Sequence, residues 1–138
     1  MSKDNPFEGT EVVSVYTRAE AIADGMLVDV TGMAREAGFK LHTVVTRTVW
    51  ERCVQVPEAL KGQGQDEQGR LWDVLWMASL AARRAPSESL VTFKVSVVDA
   101  HLRDGSPHRQ EHVLWLHIGP GDSGEAALTV MFPEGALC

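Results

Sequence analysis

The chain has 138 residues, of which 44% are hydrophobic and 23% are charged, and its formal net charge at pH 7 is -6. This composition predicts one soluble globular domain and argues against a disordered chain. The acidic balance argues against direct nucleic-acid binding, because phosphate contacts need clustered lysine and arginine. No apolar run approaches the ~20 residues of a membrane span, so no membrane partner is expected.

Residues 1–13 are polar and partly acidic, and we expect them to form a flexible leader. They lack the basic and apolar regions of a signal peptide, so the expected location is the cytoplasm. Cys53 and Cys138 suit a reducing compartment, and the terminal position of Cys138 argues against a disulfide between them. Residues 14–138 are predicted to form the single domain.

Two capped helices around a short strand are predicted for residues 16–39. In the first helix, Thr17 and Glu20 have the spacing of a capping box. The hydroxyl accepts a hydrogen bond from the third helical amide, and the carboxylate accepts one from the N-cap amide. Gly25 can adopt the left-handed conformation that ends the helix.

The strand and the second helix follow directly. Residues 26–30 are extended in character, and Thr31 is the predicted N-cap of the second helix. Gly38 is expected to end that helix. Residues 41–45 form the next predicted strand.

Two longer helices are predicted in the middle of the chain. The first begins at Thr46 or Thr48, and capping-box spacing favours Thr48. Pro57 ends it or lies just past its end. Residues 58–69 read as a polar, glycine-rich connection, and residues 70–84 as a helix with a wide apolar face.

The last third of the chain changes from a helical to an alternating pattern. It predicts three strands, at residues 90–100, 113–119 and 127–133. Their short connections favour antiparallel pairing, because parallel neighbours need crossovers. The predicted fold class is therefore α+β, a single domain with N-terminal helices packed on a C-terminal antiparallel meander of three to four strands.

A register follows from the positions of the aliphatic residues. Pairing Val97 with Leu116, and Leu116 with Val130, places the aliphatic side chains of all three strands on one face. The opposite face is then either covered by a helix or available to a partner. On that face we predict a protein-binding surface formed by Val98, Val113, Trp115 and Met131. A homodimer through the same face is an open alternative.

Three histidines lie near one end of the first predicted hairpin: His101, His108 and His112. Imidazoles with nearby carboxylates could suit zinc. The intervening segment nevertheless has the composition of a solvated loop. We therefore expect no metal site and no cofactor.

Three other residues are candidates for chemistry. Cys53 lies on the apolar stripe of a predicted helix, which favours a buried, inert thiol over a nucleophile. Asp29 and Asp73 each lie among apolar neighbours, so each carboxylate has to be hydrogen-bonded, paired with a cation or exposed. Pairing with an arginine is favoured over a role as general base in a pocket.

Between Val12 and Glu134 the chain contains four segments in order: YTRAEAIADGMLVDVTGMAREAGFK, VTRTVWERCV, GRLWDVLWMASLAAR and GPGDSGEAALTVMFPE. In order and spacing these segments resemble an uncharacterised family of small proteins encoded on bacterial plasmids, prophages and integrated elements. The resemblance implies a genetic setting, and it supplies no assigned activity and no catalytic residues. Small acidic proteins in that setting often bind a host protein.

Three functions remain open on the sequence. No recognised catalytic constellation is present, which favours a non-enzymatic accessory protein that binds a host or element-encoded protein. A narrower alternative is an inhibitor of a host defence complex, of CRISPR or restriction type, in which carboxylates imitate phosphates. The acidic residues behind that idea are Asp66, Glu67, Asp122 and Glu125. The third alternative is a small enzyme with a carboxylate–histidine site.

Overall fold

A computed structural model describes residues 5–6, 8–9 and 16–133, so the predicted leader lies mostly outside the described residues. In chain order the elements are β1 (Asn5–Pro6), β2 (Glu8–Gly9), α1 (Arg18–Ala23), β3 (Leu27–Asp29), α2 (Thr31–Glu36), β4 (His42–Thr46), α3 (Arg47–Val49), a π-helical turn (Trp50–Val54), a 3-10 turn (Glu58–Leu60), α4 (Glu67–Arg84), β5 (Leu90–His101), β6 (Pro107–Pro120) and β7 (Ala126–Met131). The α+β prediction is confirmed.

Five strands form the main sheet, in the order β3-β4-β7-β6-β5. The predicted meander is present, because β5, β6 and β7 pair with antiparallel neighbours in sequence order. β4 adds to it in parallel with β7, and β3 pairs antiparallel with β4 at the far edge. The sheet is therefore mixed and larger than the predicted meander of three to four strands.

The predicted register is correct for one hairpin and wrong for the other. Leu116 pairs with Val130 as predicted, but its partner on β5 is Val91 instead of Val97. The difference arises because β6 begins at Pro107, within the segment read as a loop. The turn before it is short, and Gly105 adopts φ 86° there. The slip is six residues, an even number, so each side chain keeps its predicted face.

The capping predictions for α1 and α2 are mostly correct. Thr17 forms the complete capping box with α1, and Gly25 has φ 79° just beyond that helix. Gly38, with φ 107°, follows the end of α2. Thr31, however, is the first residue of α2 and not its N-cap. Its hydroxyl instead accepts from the Thr43 amide (3.0 Å), which ties α2 to β4.

The starts of the two later helices also differ from the predictions. Thr46 caps α3, not Thr48, and its hydroxyl accepts from the amide three residues on (3.3 Å). α4 begins at Glu67, earlier than predicted, because the Asp66 carboxylate accepts from the Gly69 amide (2.6 Å). A carboxylate N-cap of this kind extends a helix back into a polar connection.

The main core lies between one face of the sheet and the helices α2, α3 and α4. Its fully buried residues include Ala34, Val45, Val49, Val54, Val74, Leu75, Leu114 and Val130. α1 lies on the opposite face, at β4 and β7. There the Arg18 guanidinium donates to the Thr129 hydroxyl (2.8 Å), and Val44, which pairs with Thr129, is fully buried. Within the part of the chain that the structure describes, helices thus cover one face of the sheet and only part of the other.

Candidate functional site

Three of the four apolar residues predicted to form a surface on the second sheet face are accessible there, and the fourth, Val98, is buried. Trp115 and Met131 lie directly opposite each other on β6 and β7, and both are half-buried. Val113, two residues before Trp115, projects from the same face and is 39% exposed. Val98 is only 5% exposed, beside an irregularity in the β5–β6 pairing. We call Val113, Trp115 and Met131 the Trp115 patch.

Polar residues border the Trp115 patch on the β5 side. Thr92 pairs with Trp115, and Lys94 pairs with Val113. The Lys94 amine lies 4.0 Å from the Glu111 carboxylate, and both side chains are largely exposed. On the other side, Arg18 of α1 donates to the Leu128 carbonyl (2.9 Å). α1 therefore covers the β4 and β7 part of this face and leaves the β5 and β6 part uncovered by any described helix.

The glycine-rich loop after β6 is a hairpin connection, as predicted, and it also holds α1 in place. The Asp122 carboxylate accepts from the backbone amides of Arg18 (2.8 Å) and Ala19 (3.0 Å). These two hydrogen bonds stabilise the ionised carboxylate more than the neutral carboxyl group, so they lower the pKa of Asp122. The negative charge also lies at the end of α1 where free amides point outward. The loop thereby links the hairpin to the helix on the second face.

The Asp122→Ala variant is expected to be less stable than the wild type at pH 7. Because the folded-state pKa lies below the unfolded value of ~3.9, this contribution is complete above that value. It is lost as the pH falls through the folded pKa. The difference between the two urea midpoints should therefore shrink as the pH is lowered from 7 to about 3.

The matched control for this prediction is Asp73→Ala. Asp73 is exposed on α4 and makes no hydrogen bond or ion pair with a described residue. Its removal should change the urea midpoint at pH 7 less than the removal of Asp122 does, because no hydrogen bond to a described residue is lost. A constant difference between wild type and Asp122→Ala across the pH range would contradict the assigned role of the carboxylate.

Asp29 forms the carboxylate–histidine pair that the enzyme hypothesis requires, but in an open setting. Its Oδ2 lies 3.2 Å from His42 Nε2, and its Oδ1 accepts from the amide (3.0 Å) and hydroxyl (2.7 Å) of Thr31. Burial acts to raise the pKa of Asp29, but the bonds from Thr31 and the nearby His42 outweigh it, so the pKa is lowered. A general base near neutral pH needs the opposite shift.

The surroundings of this pair are exposed and small. The Asp29 and His42 side chains are 47% and 38% exposed. The cavity beside His42 has a volume of about 150 Å³, and its wall includes Arg18, Asp122 and Glu125. Asp29 thus stabilises the turn into α2. Its partners are Thr31 and His42 instead of the predicted arginine.

The three histidines of the β5–β6 hairpin have three different partners. His101 Nδ1 lies 2.9 Å from a glutamine side-chain oxygen. His108 Nδ1 lies 2.6 Å from Asp99 Oδ1. His112 packs edge-on against Phe132, and burial lowers the pKa of its imidazole. Within residues 16–133 no three histidine, cysteine, aspartate or glutamate side chains are grouped to hold a metal ion.

Cys53 is a core residue, as predicted. Its side chain is fully buried, and burial raises the pKa of the thiol to about 11. A thiol of this kind is protonated at neutral pH and is a poor nucleophile.

The sequence analysis did not predict that Arg70 is buried. Arg70 is only 4% exposed, and its guanidinium donates to the Val54 carbonyl (3.1 Å), the Val98 carbonyl (2.7 Å) and the Gln65 side chain (3.1 Å). It joins α4 to the π-helical turn and to β5. Its position in the sequence indicates burial, because Arg70 lies four residues before the buried Val74, on the apolar stripe of α4.

The carboxylates proposed as phosphate mimics have structural partners. Asp66 caps α4, and Asp122 binds the first amides of α1. Glu125 Oε1 accepts from the Ser123 amide (3.0 Å) within the hairpin loop. Three of the four carboxylates therefore stabilise local structure in this fold.

A cavity of about 450 Å³ lies between α1, β3 and the start of α3. Its wall includes Tyr16 and Met26, which are 58% and 43% exposed. The Tyr16 hydroxyl donates to the Asp24 carboxylate (2.7 Å), so that polar group is already paired. Among its described wall residues the titratable side chains are Tyr16, Arg18 and Arg47, which include no carboxylate, histidine or thiol.

Comparisons with known proteins give one result. Residues 3–136 match a family described as "Family of unknown function (DUF6573)". Neither the curated proteins nor the solved structures contain a match to this chain. None of the helices in the described part of the chain has the length and apolarity that crossing a membrane requires. Since the family match spans nearly the whole sequence, the chain belongs to the family of unknown function DUF6573.

Proposed function

We propose that this protein is a non-enzymatic accessory protein that acts by binding another protein through the Trp115 patch. The observation behind the proposal is the position of Trp115. Its indole is half-buried on a sheet face, opposite Met131 and beside the 39%-exposed Val113, and no described helix covers it. Tryptophan contributes more interface energy than most residue types, because it buries a large area and offers one hydrogen-bond donor.

The border of the patch has the character of an interface rim. Lys94 and Glu111 lie 4.0 Å apart and are exposed, and Thr92 adds a hydroxyl. Interfaces commonly combine an apolar centre with such a polar edge. The rim carries both signs of charge and the whole chain is acidic. These features favour a protein partner over a nucleic acid.

The proposed setting is the cytoplasm of a bacterium that carries a plasmid, prophage or integrated element. The support is the resemblance of the four sequence segments to proteins of such elements. The partner is then a host protein or another protein of the element. Inhibition of a defence complex is a narrower form of this role. The engaged carboxylates Asp66 and Asp122 give phosphate mimicry no support, so inhibition would proceed through the patch.

The test compares affinity purifications from host lysate with wild type and Trp115→Asp as baits. We expect a stoichiometric partner with the wild type and at least a tenfold weaker complex with the variant, since a central interface residue contributes ~2 kcal/mol or more. The control is Leu102→Asp, which introduces the same charge at a 51%-exposed apolar residue in the β5–β6 turn.

Two results would contradict the proposal. One is the absence of a stoichiometric partner, and the other is equal binding by Trp115→Asp and wild type. Light scattering on the purified protein tests the homodimer alternative, because it measures the oligomeric state without any other protein present. A wild-type dimer that Trp115→Asp converts to a monomer would identify a second copy as the occupant of the patch.

A further inference from the structure

β5 is one edge of the sheet, and half of its backbone groups point away from β6. The Ile118 amide donates to the Ser89 carbonyl (2.8 Å), so the bonded pairs of this ladder begin at Ser89. Bonded and non-bonded pairs alternate along an antiparallel ladder. Every second residue of β5 therefore directs its N–H and C=O outward, and in the middle of the strand these residues are Thr92, Lys94 and Ser96.

The same alternation explains one contact that the structure shows directly. The Val98 carbonyl, next in the outward series, accepts from the Arg70 guanidinium at 2.7 Å. The protein thus satisfies the outward carbonyl at this end of the edge with a side chain of α4. The outward N–H and C=O groups of Thr92, Lys94 and Ser96 have no backbone hydrogen-bond partner among the described residues. Three residues with two groups each leave six hydrogen-bonding groups facing outward.

A groove runs along this part of the edge. It has a volume of about 350 Å³ and lies between α4 and β5, and its wall combines the apolar Trp76 and Met77 with the polar or charged residues Asp73, Lys94, Ser96 and Glu111. Trp76 and Met77 are 37% and 38% exposed. The Trp76 ring stacks on Trp72 at 5.7 Å and carries the Arg83 guanidinium at 5.4 Å, so its orientation is fixed. The groove therefore has an apolar side on α4 and runs beside outward backbone groups of β5 that no described residue pairs with.

We propose that an extended segment of a partner protein binds in this groove as an added strand next to β5. An extended chain matches the six outward groups, because it offers donors and acceptors with the same spacing. Its alternate side chains would meet two different environments. Those on the α4 side contact Trp76 and Met77 and should be apolar. Those on the other side lie beside Thr92, Lys94 and Ser96, with Glu111 already next to Lys94, and should be polar.

A second copy of the chain fits this edge less well. Two β5 strands that use all three outward residues in antiparallel pairing set the two Lys94 side chains directly opposite each other. Like charges in that position destabilise strand pairing, and an edge lysine is a common protection against self-association. The proposed surface is distinct from the Trp115 patch and does not depend on it.

The first test uses a phage-displayed library of random peptides of roughly 12 residues, long enough for a typical strand. Peptides selected on the full chain should alternate apolar and polar residues. Each backbone amide of a selected peptide is then N-methylated in turn. Binding should fall about tenfold at every second position, where a hydrogen bond is lost, and change less than about twofold at the positions between.

Two further measurements assign the binding to the groove. Met77→Asp should weaken the peptide about tenfold or more, whereas Trp115→Asp should leave it unchanged, which separates this inference from the proposed function. In the free protein the Lys94 and Ser96 amides should exchange rapidly with solvent, and the peptide should slow them at least about tenfold. The Val95 amide, which faces β6, should exchange slowly in both states.

Four outcomes would overturn the inference. The first is the selection of no peptide with the alternating pattern. The second is an N-methylation profile without a two-residue period. The third is slow exchange of the Lys94 and Ser96 amides in the free protein. The fourth is a dimer of the free protein that Met77→Asp dissociates, because a second copy would then occupy the edge.

Discussion

Replacing Arg70 by methionine is expected to lower the free energy of unfolding by about 3 kcal/mol. Methionine places an unbranched apolar side chain of similar length in the same position and removes all the N–H donors of the guanidinium. It leaves the Val54 and Val98 carbonyls, now bonded at 3.1 and 2.7 Å, without their partner. Each unsatisfied buried group costs about 1–3 kcal/mol, and the lost desolvation of the guanidinium offsets part of that total.

The measurement is urea unfolding followed by circular dichroism. The midpoint should fall while the denaturant slope stays constant, which identifies a change in stability instead of a change in the unfolded state. Arg84→Met is the matched control, because Arg84 is exposed in the last turn of the same helix. That variant should stay within about 0.5 kcal/mol of the wild type. Equal midpoints for both variants would show that the Arg70 bonds make no net contribution.

Leu114→Ala is expected to destabilise the protein by about 3 kcal/mol as well, through a cavity. Leu114 lies on β6, is fully buried and belongs to the main core. It faces the helices from the middle of the sheet, where the backbone of the neighbouring strands cannot collapse to fill the space. The cost therefore includes both the lost burial and the unfilled volume.

The adjacent residue on β6 is the control for this experiment. Val113→Ala removes apolar atoms from the opposite face of the same strand, where the side chain is 39% exposed. We expect a change of less than about 1 kcal/mol. A larger loss for Val113→Ala than for Leu114→Ala would reverse the assignment of the two sheet faces and remove the basis of the Trp115 patch.

The two proposed surfaces share one structural cause. α1 covers the β3, β4 and β7 side of the second face, held there by Asp122 and Arg18. On the other side, α4 meets β5 at Val98 through Arg70, and farther along the strand no described residue pairs with its outward backbone groups. The patch and the groove therefore lie on two sides of the same exposed strand, and one partner could contact both.

Some features of this fold can be read from the sequence alone, because they depend on residues three or four positions apart. The capping box at Thr17 and the left-handed glycines at Gly25 and Gly38 are examples. The alternation that buries Phe93 and exposes Thr92 is another, because it follows from strand geometry. Such signals also place Cys53 in the core.

Only the tertiary structure decided which distant segments meet. The parallel pairing of β4 with β7 joins residues 85 positions apart, such as His42 and Ala127, and no local pattern specifies it. The β5–β6 register depended on the length of one turn, and an even slip left the pattern of faces unchanged. Arg70 and Asp122 became recognisable when their backbone partners, contributed by other elements, were in place. Local sequence determined the elements and their buried faces, whereas pairing and packing between elements determined which surface stayed open.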